Sequence, residues 1–222
     1  MPWKPLPQVS GKSGVIESVL LSGIPGIWHG FGTRLSADWP GDYTNLKQIH
    51  SDVIFAAEDR KGCIGEGDAL MSSAPGQRIG VRTADCVPLL FADPDHRAVA
   101  AAHAGWRGTV VEIARKTVRR MQEVYGSDPR RIRAAIGPAI GKCCFEVGAD
   151  VAAQFAPWCP GVEILTHVDL TEANYRQLLL AGLLPEHIDA PRICTVCDPE
   201  RFHSYRRDRE YSGRMVAAIA II

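Results

Sequence analysis

Two apolar runs, Val87-Pro-Leu-Leu-Phe91 and Ala98-Val-Ala-Ala-Ala102, constrain the fold of this chain more than any other feature. Each is of strand length and reads as a buried strand. Pro94-Asp95 between them is a turn signal, which predicts that the two strands are neighbours. Each run also carries one soft ligand at an end. Cys86 opens the first and His103 closes the second. Whether these two side chains share a metal ion is the functional question the pattern raises.

At 222 residues the chain suits one domain, residues 1–222, with a substantial core. The 25 basic and 25 acidic residues balance, so there is no electrostatic footprint for nucleic acid or for an anionic membrane. The longest apolar run, Met215 to Ile222, is too short to span a bilayer. No signal-peptide h-region is seen at the N-terminus. Seven scattered cysteines fit reduced thiols, which predicts a cytoplasmic protein. Nothing points to an obligate protein partner.

Residues 1–13 are polar and Pro-rich, as in a segment that wraps the surface. Strands are expected at Val15–Leu21, Ile27–Phe31, Val53–Ala56, Asp68–Met71, Ile79–Arg82, Arg133–Ile136, Ile188–Val196 and Met215–Ile222. Residues 35–46 read as loop. The clearest helix is expected to start at Thr109-Val-Val-Glu112, a capping-box pattern, with apolar residues at helical spacing up to Met121 and a stop at Gly126. Further helices are expected at Val147–Phe155 and Leu170–Ala181. Several strands before the first strong helix predict an α+β fold, with mixed β-sheets layered with helices.

Three side chains stand out as ligands. Cys86 lies at a strand entrance, His103 at a strand end before Ala104-Gly-Trp-Arg-Gly108, and His50 in Lys47-Gln-Ile-His50. Two imidazoles and a thiolate suit Zn²⁺ and can also hold copper. Three protein ligands leave a fourth position open, the pattern of a catalytic zinc site. Each residue also has a plainer reading: Cys86 as a small core residue, His103 as a satisfied buried imidazole. Spacing alone does not bring His50 to the other two.

The chain resembles the YfiH-like family, also called the multicopper polyphenol oxidase (laccase-like) or peptidoglycan editing factor PgeF family. The resemblance rests on His29-Gly-Phe-Gly-Thr-Arg34, Lys47-Gln-Ile-His50, Gly67-Asp-Ala-Leu70 and Thr83-Ala-Asp-Cys-Val-Pro-Leu-Leu90. It continues through Ala102-His-Ala-Gly-Trp-Arg-Gly-Thr109, Gly137-Pro-Ala-Ile-Gly141, Phe145-Glu-Val-Gly148 and Ser204-Tyr-Arg-Arg-Asp208. It implies that His50, Cys86 and His103 hold one metal, usually zinc. The Leu35–Lys47 segment is shorter than the family's, so Asn45 is not equated with the family's Asn and a more open pocket is expected.

The resemblance further implies purine nucleoside chemistry: phosphorolysis of adenosine, inosine, guanosine and methylthioadenosine, and deamination of adenosine. In that chemistry Asp85 or Glu146 would move protons, beside the metal-held Cys86. Arg34, Arg107 or Arg206 would hold phosphate through a bidentate fork, and Gln48 would contact substrate. Two alternatives stand beside it. Copper-dependent polyphenol oxidation would need His-X-His pairs for several coppers, and none occurs among histidines 29, 50, 96, 103, 167, 187 and 203. A metal-free Cys86–His103 dyad would suit an amidase that edits peptidoglycan precursors. Cys194-Thr-Val-Cys197 lacks the His-X-Glu partner of a nucleobase deaminase and, as half a structural zinc site, an obvious second pair. It is read instead as a buried strand pair, and Cys143-Cys144 as incidental neighbours near the pocket.

Overall fold

The computed structural model describes residues 14–159 and 166–222, so the expected wrapping of residues 1–13 lies outside the described residues. In chain order the strands are β1 (Ile27–Phe31), β2 (Asn45–Lys47), β3 (Ile54–Ala56), β4 (Cys63–Glu66), β5 (Ala69–Ser72) and β6 (Ile79–Thr83). They continue as β7 (Val87–Asp93), β8 (Ala98–Ala104), β9 (Arg133–Ile136), β10 (Ile188–Asp189) and β11 (Met215–Ile221). The helices are α1 (Val19–Ser22), α2 (Trp106–Val110), α3 (Ile113–Tyr125), α4 (Ala149–Ala153), α5 (Leu170–Leu180) and α6 (Tyr205–Asp208).

The two apolar runs form the centre of a six-stranded mixed sheet of order β10-β9-β7-β8-β5-β3. They pair antiparallel from Val87↔Ala104 to Asp93↔Ala98. Buried Asp93 closes their hairpin, its Oδ1 accepting from the N–H groups of Asp95 and His96 at 2.9 and 3.3 Å. Both faces of this sheet are covered, which is why the runs do not alternate with polar residues. Leu89, Phe91, Ala100 and Ala102 pack under α3 and α5. Leu90, Ala92, Val99 and Ala101 face the opposite way, onto Ile79, Val81, Ala217 and Ile219. Those last four belong to an antiparallel three-stranded sheet of order β1-β11-β6. The result is an α+β stack of helices, large sheet and small sheet, with a parallel β2-β4 ladder beside it.

Several local expectations are corrected. The Val15–Leu21 strand is only one bridge, Ile16 to Phe31, because Ser18, the last extended residue, caps α1, its Oγ accepting from Leu21 N at 3.4 Å. The capping box does not form. Gly105 is the N-cap of α2, so Thr109 already lies inside a helix, and its Oγ1 accepts from Asn174 Nδ2 of α5 at 3.0 Å. Glu112 takes a left-handed conformation (φ 61°) and separates α2 from α3, which then ends at Gly126 as expected. The Val147–Phe155 helix shrinks to α4. The Ile188–Val196 strand stops at Asp189: Pro191 has no N–H to give, Arg192 takes φ 56°, and the chain returns to pairing only at the Ala139–Cys194 bridge. Strands β2 and β4, too short and too polar to show a period, were not expected.

Candidate metal centre

The hairpin places Cys86 just before β7 and His103 near the end of β8, at the same end of the ladder, since Pro88 pairs with His103. β5 lies on the other side of β8, and Asp68 immediately precedes it. The Asp68 carboxylate is fully buried and gathers the site. It accepts from Ile49 N, His50 N and Ser51 N at 3.3, 3.0 and 2.5 Å, and from Ser51 Oγ at 2.7 Å. The turn that wraps it holds His50 at φ 60°. Asp68 also pairs with His103 Nδ1 at 2.8 Å, and its backbone carbonyl accepts from His103 N at 2.7 Å. One carboxylate therefore fixes the His103 ring and the backbone of the His50 turn, and leaves Nε2 of His103 as its available ring nitrogen.

The ligand atoms of His50, Cys86 and His103 all lie within 4.8 Å of one another, with Cys86 Sγ 4.0 Å from His50 Nε2. The two imidazoles stand edge to face, 4.9 Å between centroids. A tetrahedral zinc ion would hold sulfur and nitrogen about 3.6 Å apart, from bonds of about 2.3 and 2.0 Å. The set is thus close to ligating geometry, and its two imidazoles and one thiol are the donors that zinc or copper takes. The burial runs from exposed His50 through half-buried Cys86 to buried His103, so the fourth side opens towards solvent. A Cβ on Gly105 would come within 2.8 Å of His50 Cδ2 and 3.1 Å of Cys86 Sγ. Glycine is needed there for space, since its φ of −66° is ordinary.

Electrostatics favour a thiolate at Cys86. Burial raises the Cys86 thiol, but hydrogen bonding and charge from His103 and His50 outweigh it and bring it down to about 6. Burial lowers His103, but Asp68 and Cys86 bring it up to about 9. Burial likewise raises Asp68, while its bonds from His103 and Ser51 hold it at about 2. Without a metal these three groups form a thiolate–imidazolium–carboxylate chain.

The other sequence candidates are not drawn into this cluster. Asp85, at φ 84°, accepts from Thr195 Oγ1 (2.6 Å), Ser204 Oγ (3.1 Å) and Arg206 N (2.6 Å). Its carboxylate ties the strand entrance to the C-terminal segment. The Arg206 guanidinium is held by the carbonyls of Cys144 and Glu146 at 3.1 to 3.2 Å. Arg34 donates to Pro199 O at 2.9 Å. Gln48 splices onto the backbone of Arg82, donating at 2.8 Å and accepting at 2.7 Å. Exposed Arg107 rests over the Trp106 ring at 4.4 Å and, among the described residues, makes no hydrogen bond or ion pair with its guanidinium. Among the described residues the exposed Glu146 carboxylate accepts one hydrogen bond, from Thr166 Oγ1 at 3.5 Å. Asp68, Ser51 and Gly105 had no assigned role in the sequence reading. A carboxylate at the mouth of the apolar Ala69-Leu-Met71 run was the available signal for the first.

Among the described residues no helix is long and apolar enough to cross a membrane. The chain is 42% identical over 185 residues to a purine nucleoside phosphorylase of Deinococcus radiodurans, covering 81% of this chain and 70% of that protein. It is 36% identical to adenosine deaminase RL5 of an unknown prokaryotic organism, covering 80% of this chain and 74% of the relative. The crystal structure of YlmD from Geobacillus stearothermophilus superposes with a TM-score of 0.85 at 28% identity, over 98% of this chain and 99% of that one. Residues 33–222 match the model of a family described as multi-copper polyphenol oxidoreductase laccase, and the chain belongs to that family.

Proposed function

We propose that this chain is an enzyme, a zinc-dependent purine nucleoside phosphorylase that also deaminates adenosine. The observation that carries the reading is the open three-ligand set of His50, Cys86 and His103, in a chain so similar to a protein named purine nucleoside phosphorylase. The relative named adenosine deaminase supports the second activity. Zinc in this set supplies Lewis acidity at one open coordination position. Asp68 holds the His103 imidazole and the backbone turn that carries His50, and Gly105 keeps the space beside Cys86 and His50 clear. Arg107, at the first turn of α2, makes no hydrogen bond or ion pair with its guanidinium among the described residues, and of the three candidate arginines it is the one left to hold phosphate, Arg34 and Arg206 being engaged by carbonyls. Glu146 is the solvent-open carboxylate for proton exchange, while Asp85 positions the segment behind Cys86. A single three-ligand centre without His-X-His pairs does not suit a multicopper oxidase.

A second reading has its own observation. Cys86, His103 and Asp68 are chained as nucleophile, base and orienting carboxylate, which would suit a metal-free amidase. The test separates the two. Zinc-loaded protein is incubated with adenosine, with and without phosphate, and the products are separated by chromatography beside a His50→Ala control. Phosphate-dependent adenine is expected, with inosine forming in its absence, and both lost in the variant and after chelation. Zinc-loaded protein that forms neither product overturns the purine reading.

A further inference from the structure

Four cysteines that this site does not use converge elsewhere. Cys143 and Cys144 lie in the turn that starts at Gly141, and Cys194 and Cys197 lie on the loop after β10. Their sulfurs all lie within 4.8 Å of one another. Cys197 Sγ is 3.6 Å from Cys143 Sγ and 3.5 Å from Cys144 Sγ. Sulfurs on a tetrahedral zinc ion stand about 3.8 Å apart, because each Zn–S bond is about 2.3 Å long. We propose that Cys143, Cys144, Cys194 and Cys197 form a second, structural metal centre that holds one zinc ion as a tetrathiolate.

The surroundings are built for sulfur. Gly141 N donates to Cys194 Sγ at 3.2 Å, the kind of backbone bond that supports a thiolate ligand. A Cβ at Gly141 would meet Cys194 Cβ at 3.1 Å and Cys143 Sγ at 3.2 Å, so a side chain there would crowd the sulfurs and glycine eases the close approach. Cys194 and Cys197 have the two-residue spacing by which one loop offers two ligands to a metal. The missing second pair is Cys143-Cys144, distant in sequence and brought alongside by the bonds between Ala139 and the 193–195 backbone. Four protein ligands close the coordination shell, so this centre has no position for a substrate. Cys143 and Cys197 are exposed, which gives the ion a path in.

The two loops it would clasp carry the framework behind the first site. Thr195, between the paired cysteines, donates to Asp85 next to Cys86. Arg206 reaches the carbonyls of Cys144 and Glu146. Arg207 reaches those of Thr195 and Val196, at 3.1 and 3.2 Å. Zinc at the tetrathiolate would thus hold the floor of the catalytic region without touching substrate.

Metal analysis of the reduced full chain tests this. A His50→Ala/His103→Ala variant dismantles the first centre and should still retain one zinc per chain after dialysis. Adding Cys143→Ser and Cys197→Ser should remove it. Should those serine variants fail to fold, cobalt in the His50→Ala/His103→Ala protein gives an independent readout. Intense near-ultraviolet sulfur-to-cobalt absorption with tetrahedral visible bands is expected. A histidine variant that holds no zinc, a cobalt spectrum without thiolate absorption, or a disulfide from Cys197 to Cys143 or Cys144 that persists in the zinc-treated, reduced protein overturns the proposal.

Discussion

At the scale of single residues, Asp68 contributes most per atom. It touches no substrate position in this reading, yet it bonds the backbone of the His50 turn and the ring of His103 together. Replacing it with Asn keeps the size and removes the charge that fixes the His103 ring. Asp68→Asn should weaken zinc binding about 10- to 100-fold, measured by competition with a chromophoric chelator. An unchanged affinity would mean that the imidazoles are held by packing alone. His29 makes a different case. Burial holds its pKa down to about 4, against the pull of Asp189, and Ser18 N donates to its Nε2 at 3.0 Å, which requires a neutral ring. The unfolded chain therefore binds more protons than the native one between about pH 6.5 and 4. The stabilisation is complete above pH 6.5, is lost as pH falls through that window, and amounts to about 3 kcal/mol from about 1.36 kcal/mol per unit. Urea unfolding of the wild type and His29→Gln across this range should show a steeper fall in stability for the wild type, the difference being the His29 share.

At the scale of elements, the break between α2 and α3 departs furthest from the sequence pattern. Thr109 and Glu112 have the spacing of a capping box, and the apolar positions after them keep helical period. Yet Gly105 starts a helix earlier, and Glu112 sits at φ 61°, where a side chain costs about 1 kcal/mol or more. Among the described residues the Glu112 side chain pairs only with Arg115, at 3.4 Å. Glu112→Gly should therefore raise stability by about 0.5–1 kcal/mol in urea unfolding, whereas loss of a capping box would lower it by about that much. The reason lies in tertiary contacts. Thr109 offers its Oγ1 and its carbonyl to Asn174 and Gln177, both fully buried on α5. Those bonds draw the start of the helix into the interior, and a local cap cannot compete with them.

At the scale of the whole molecule, the large sheet is the shared middle layer. Leu89 faces the helices and Leu90 the small sheet, and both are fully buried. Leu89→Ala and Leu90→Ala should each cost about 2–5 kcal/mol and shift one common transition seen by far-ultraviolet circular dichroism and by tryptophan fluorescence. Separate transitions would show that the layers unfold independently. The central hairpin, its turn, the helices α3 and α5 and the C-terminal strand were legible in the chain, because each rests on residues adjacent or periodic in sequence, whereas His50 joined Cys86 and His103 as candidate ligands only through the family resemblance. Composition and period determined which segments must be buried, and soft donors at strand ends marked Cys86 and His103 as candidate ligands. Only the tertiary structure decided that Asp68 joins His50 to His103, that Asp85 and Arg206 brace backbone, and that Cys143-Cys144 meets Cys194 and Cys197. These pairings span long stretches of chain, and their geometry exists only once the sheets have packed, so no local pattern encodes them.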